Sequence, residues 1–157
     1  MKKFLTYLSV ILLWAQGVAM AQPATSEQNW KLMLTDVKVR YTWSIKLGSY
    51  ITRARFGDEV KKLDGMEVTL KGFFLAADLT GNLFVLSYNP MATCFFCSAA
   101  GIETVVEMDP HPDHLRLFKR LRTDNVIEVK GTLHLNADDY SHLIYILKDV
   151  ELVRTQR

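Results

Sequence analysis

Two cysteines in 157 residues are too few for a disulfide framework and allow at most one bridge. The apolar run from Phe4 to Ala15 is shorter than the roughly 20 residues a membrane-crossing helix needs. There is no Ser-His-Asp order, no His-Glu-x-x-His, no glycine-rich phosphate loop and no paired-carboxylate signature, so no catalytic constellation is legible. A large excess of one charge is also missing, since 19 Lys and Arg face 17 Asp and Glu.

The first residues do carry a pattern. Lys2 and Lys3 precede the apolar run, and Ala19-Met20-Ala21 before Gln22 reads as a cleavage site, which together predict a signal peptide over 1–21 and an exported, periplasmic or secreted domain. No cysteine stands at that site, which argues against a lipid anchor, and no permanent membrane span is expected after cleavage. Losing Lys2 and Lys3 brings 19 basic residues to 17, equal to the acids, so a general electrostatic case for nucleic acid disappears. Pro23 to Asn29 reads as a flexible mature start over 22–29. Residues 30–157 then form one domain, large enough to bury a core.

Along that domain the period is mostly two. Val37, Val39, Tyr41, Trp43, Ile45 and Leu47 alternate with Lys38, Arg40, Thr42, Ser44 and Lys46, predicting a long half-buried strand that Gly48 ends. Phe56, Val60 and Leu63 fall at helical spacing before an Asp64-Gly65 turn. Met66 to Leu75 and Ile127 to Leu135 each alternate and each carry a Lys-Gly step in mid-strand, predicting two bent strands in a sheet that curls. Asp78 to Asn82 reads as a hairpin turn into Leu83 to Tyr88. Further strands are expected at Thr104 to Met108 and Leu143 to Leu152. Between them Asp109-Pro110 opens a helix reaching Arg122, with Leu115, Phe118 and Leu121 as its apolar stripe and Arg116, Lys119, Arg120 and Arg122 as a solvated face. Five or six strands with one helix before the penultimate strand predict a mainly β, partly open Greek-key barrel of the oligonucleotide/oligosaccharide-binding (OB) type.

The segment with chemistry is Asn89 to Gly101, where small and apolar residues surround Cys94-Phe95-Phe96-Cys97. Two sulfurs at this spacing can close a small disulfide, hold one metal ion such as zinc or copper, or act as a dithiol redox centre. Ser98 stands where c-type haem attachment needs histidine. His111 and His114 complete a zinc-finger-like set on paper, but an extended segment between the pairs separates them by on the order of 20 Å. Met91, Glu103, His134 and His142 are the other candidate ligands.

Leu63-Asp64-Gly65, Val68, Lys71-Gly72-Phe73-Phe74-Leu75, Phe84-Val85-Leu86-Ser87 and Cys94-Phe95-Phe96-Cys97 through Gly101 form a recognisable set. From about Trp30 to Leu152 the chain resembles a group of exported bacterial proteins of unknown function, common in Bacteroidetes and similar to bacterial OB-fold domains. The resemblance implies a periplasmic OB-like domain, accessory to metal-ion or envelope transport. The expectation is thus a non-catalytic binding domain with Cys94 and Cys97 as metal ligands and an envelope protein or a metal ion as partner. A thiol oxidoreductase, and a peptide- or glycan-binding module with structural cysteines, are the alternatives.

Overall fold

The computed structural model of the chain describes residues 24–45, 48–76, 83–94 and 100–156. The signal peptide, the Asp78–Asn82 turn and Cys97 lie outside the described residues. In chain order the elements are α1 (Ser26–Thr35), β1 (Val37–Ser44), β2 (Ser49–Phe56), α2 (Asp58–Lys61), β3 (Glu67–Ala76), β4 (Phe84–Ser87), β5 (Val105–Pro110), α3 (Leu115–Phe118), β6 (Val126–Leu135) and β7 (Tyr145–Gln156). Single 3-10 turns occur at Met91–Thr93 and Ile102–Thr104.

Five strands close a barrel in the order β3-β4-β5-β7-β6, with β6 returning to β3. β5 and β7 run parallel and every other neighbour antiparallel. A meander of three strands, a parallel fifth beside the third and a fourth closing onto the first give OB-like topology, closed where the sequence suggested a partly open barrel. Alternation fills the interior: Val68, Leu70 and Phe74 from β3, and Ile127, Val129 and Leu133 from β6, are buried.

The two Lys-Gly steps sit where the strands must bend. β3 pairs with β6 up to Phe73 and with β4 from Phe73 onward, so its partner changes beside Gly72. A Cβ there would lie 2.5 Å from the Ser87 carbonyl oxygen, so the strands approach only because the side chain is absent. Gly131 lies in the register shift between Lys130 and Thr132, the bulge that lets β6 follow β7 around the barrel.

Three expectations are corrected. The 22–29 segment is not a flexible start throughout, because α1 begins at Ser26. Thr25 accepts from the Gln28 amide while the Gln28 side chain accepts from Thr25 N, a reciprocal cap, and Asn29 and Trp30 are buried. The Asp109–Arg122 helix shrinks to the single turn of α3, because Pro110 still pairs with Val150 in the barrel. That turn seats Phe118 against Phe74 and Phe84, at ring separations of 6.5 and 5.8 Å. The half-buried strand expected at Val37–Leu47 is β1 over Val37–Ser44, which pairs not with the barrel but with the unforeseen β2 in a two-stranded ribbon whose outer half is exposed.

α1 and the ribbon are docked by side chains. β4 reaches only Phe73–Ala76 of β3, so the earlier half of that edge has backbone groups to satisfy. Trp30 Nε1 donates to Lys71 O, Asn29 Nδ2 donates to Thr69 O, and Lys71 N donates to Ser26 Oγ. Asp36, just after α1, accepts the Glu59 and Val60 amides through Oδ2 and so caps α2. Tyr145, fully buried on β7, donates its hydroxyl to Met33 O at 2.6 Å and packs its ring on Phe56 at the root of the ribbon. Among the described residues no helix is long and apolar enough to cross a membrane.

Gly72→Ala puts a methyl group onto a backbone oxygen rather than a movable side chain, so the barrel must shift to admit it. Unfolding free energy is expected to fall by about 1–3 kcal/mol or more, read from urea denaturation with an unchanged m value.

Candidate functional site

Among the described residues the sequence-derived ligands do not gather into one set. Cys94 follows the 3-10 turn at Met91–Thr93, and its side chain is fully buried in the core cluster. Met91 is exposed, with its amide donating to Asp124 Oδ1. Glu103 folds its carboxylate back into the space a side chain at Gly101 would need. Because Ser87 pairs with Val105, the Cys94 segment joins β4 to β5 at one end of that hairpin, and His111 leaves from the other end. Six residues of extended chain between them amount to about 20 Å. His111 N donates to Val150 O, and His114 Nδ1 accepts the Leu152 amide, so both are tied into β7. Among the described residues no group of three or more His, Cys, Asp or Glu is placed to hold a metal ion.

Of the remaining two histidines, His142 pairs with a residue that the sequence reading missed, and His134 lines the same depression. Glu107 is the one acid in the apolar strand segment Val105–Met108. In register it sits beside Ile146, and Ile146 beside His134, so all three project from the outer face of the barrel. The loop over residues 136–144 joins β6 to β7 and folds back onto this face. His142 Nδ1 lies 2.7 Å from Glu107 Oε1, and the Leu143 amide donates to Glu107 Oε2 at 3.0 Å. Asn136 closes the loop upon itself, its amide donating to Asp139 O and Leu143 O. Only 14% of the Glu107 side chain is exposed, so one carboxylate both satisfies its own burial and fixes the loop.

Against this loop stands the ribbon. Arg53 on β2 reaches Asp138 Oδ1 at 3.7 Å, with its guanidinium 5.9 Å from the Tyr140 ring centre. Ribbon, β5 and loop enclose a cleft of about 470 Å³, with Tyr50, Ile51, Glu107, Asp139, Tyr140 and His142 in its walls. A second depression of about 630 Å³ opens on the far side of the Glu107–His142 pair, toward Asp109, His134 and Lys148. The sites are polar and aromatic together: carboxylates, imidazoles and amides for hydrogen bonds, tyrosine faces for stacking. The signal for Glu107 was present in the sequence, as a lone acid in a buried strand. The signal for β2 was the alternation of Tyr50, Thr52, Ala54 and Phe56.

No protein-family model matches this chain. No curated protein matches it either. Among solved structures it is similar to the crystal structure of a DUF3299 family protein from Pseudomonas aeruginosa PAO1, at 20% sequence identity. That likeness covers 66% of this chain and 70% of the other, with a TM-score of 0.42.

Two shifted groups give the loop a pH window. The hydrogen bond and charge of Glu107 raise the pKa of His142 above its ordinary 6.5, so its contribution is complete below 6.5 and is lost as pH rises through the raised value. The backbone hydrogen bond from Ser141 lowers the pKa of Asp139 below 3.8, so its contribution is complete above 3.8 and is lost as pH falls through the lowered value. The loop is therefore held best between these two ordinary values. Amide exchange at Leu143, corrected for the intrinsic pH effect, should be slowest in that window and speed up at pH 8.5; Glu107→Gln should abolish the alkaline change.

Proposed function

We propose that this chain is an exported, non-catalytic OB-like binding domain that takes an elongated, hydrogen-bonding ligand of the peptide or glycan class in the cleft between ribbon, β5 and loop 136–144. In OB folds generally, the outer face of the second and third strands and the loops after the first and fourth strands bind extended ligands. Here β4, β5 and the 136–144 loop occupy those positions. The observation that carries the reading is the loop's attachment to Glu107, which holds Asp139, Tyr140 and His142 on a formed wall opposite Tyr50. A wall fixed before binding costs less ordering when a ligand arrives. Export rests on the pattern of the first 21 residues.

Zinc or copper binding by Cys94 and Cys97, as an accessory to envelope or metal transport, has the spacing of the two sulfurs in its favour. The complete burial of Cys94 favours a structural role for the pair instead, since buried cysteine acts as a small apolar side chain.

Chemical-shift mapping with short oligosaccharide and peptide probes tests the cleft. Shifts are expected at Ser141, Leu143 and the β5 amides, and Tyr140→Ala should weaken binding roughly tenfold by removing one stacking face. Shifts that avoid the loop and β5, or stoichiometric zinc or copper in protein purified under reducing conditions, would move the functional centre elsewhere.

A further inference from the structure

We infer that the β1–β2 ribbon is a docking arm for an anionic bilayer surface, gripping it with an aromatic tip and a cationic shaft. The segment from Val37 to Phe56 contains no acidic residue, although the whole chain has 17. The register places like charges directly opposite one another: Lys38 faces Arg55, and Arg40 faces Arg53. Cross-strand cation pairs repel, so an isolated two-stranded ribbon is weakened by carrying two of them in succession. Arg53 has an internal partner in Asp138, but Lys38, Arg40 and Arg55 form no ion pair among the described residues. Such a face is relieved by an external anion.

The opposite face and the tip are apolar and open. Tyr41, Trp43 and Tyr50 are 62%, 54% and 71% exposed, and Ile45 in the turn is 93% exposed. Trp43 and Tyr50 are cross-strand partners that hold each other edge-to-face at 5.2 Å, so the tip is a braced aromatic pair rather than loose side chains. This contradicts ordinary surface design for a soluble hairpin, where exposed strand positions are polar.

The two features lie on opposite faces of the ribbon, so no flat partner touches both. An occupant met end-on does. Arg40 and Arg53 stand three residues behind Trp43 and Tyr50, about 10 Å at strand rise. The headgroup layer on each side of a bilayer is about 5–8 Å thick over an apolar interior, and tryptophan and tyrosine favour that boundary. A tip at the acyl boundary therefore leaves the Arg40–Arg53 backbone just outside the headgroups, where long arginine side chains reach back to the lipid phosphates, with Lys38 and Arg55 two residues farther out. The exposed aliphatic Ile45 fits this occupant, whereas a nucleic acid offers it no apolar depth. Ser49 to Thr52 of β2 also line the cleft, whereas Tyr41, Trp43 and Ile45 do not, and the arm does not depend on what the cleft binds.

Hydrogen exchange of the full chain with vesicles decides the matter. Vesicles of phosphatidylcholine and phosphatidylglycerol at 3:1 should slow amide exchange across Tyr41–Thr52. Pure phosphatidylcholine should do so far less, and 0.5 M salt should reverse much of the effect. Arg40→Gln should lower partitioning roughly fivefold, and Arg40→Glu by more, although the glutamate gains an opposite charge across the strand and should not lower the melting temperature. Ile45→Ser, which alters the tip at a side chain outside the cleft, should lower the ribbon's protection severalfold while leaving probe binding in the cleft intact. The inference is overturned by equal protection from neutral vesicles, by ribbon protection in all variants alike, by protection that grows with protein concentration without lipid, or by stronger protection from an oligonucleotide than from anionic vesicles.

Discussion

The Tyr145 hydroxyl, donating to the Met33 carbonyl inside the fold, is the joint on which the arrangement of this molecule depends. Its ring belongs to the barrel through β7, its oxygen holds the helix that precedes the barrel in sequence, and its edge supports Phe56 at the root of the ribbon. Burial raises the phenol's pKa, so it remains a donor across the physiological range. A barrel of five strands could close without this contact. The ribbon could not be aimed without it.

From that joint the rest follows outward. α1 covers the edge of β3 that β4 is too short to pair, and Asp36 clips the start of the ribbon to the helix that follows it. Once the ribbon root is fixed, β2 runs beside loop 136–144, and Arg53 meets Asp138 and Tyr140. That ion pair is exposed and worth little by itself. Its significance is positional, because the same loop is anchored from below by Glu107. The cleft thus has one wall set by the barrel and another set by elements outside it.

Much of the barrel was legible because its strands obey simple rules. The alternation in β3 and β6 identified buried faces, and Gly72 and Gly131 marked the points where two backbones come too close for a side chain. The ribbon was harder to read for a physical reason. A strand whose apolar positions face water has the same alternation as one whose apolar positions face a core, so Tyr41 and Trp43 were assigned to burial they do not have. α1 announced itself only through Thr25 and Gln28 at capping-box spacing, within a polar stretch that resembles a loose terminus. The longer helix expected after Asp109 failed because Leu115 and Phe118 do pack inward, but the strand pairing at Pro110 leaves room for one turn only.

The candidate site was less legible than the fold. Cysteine spacing attracts a functional reading whatever surrounds it, and here the described sulfur is enclosed by the core. The residues that do assemble are common types, and Glu107 lies 35 positions from His142 and its loop neighbours Asp139 and Tyr140, so only the parallel placement of β7 beside β5 unites them. Equilibrium unfolding of Tyr145→Phe tests the account most directly. It predicts a loss of about 1–3 kcal/mol, the cost of leaving a buried carbonyl without its donor, in a transition where helix and barrel still unfold together. Unchanged stability would contradict it, and so would a wild-type protein in which α1 melts well before the barrel.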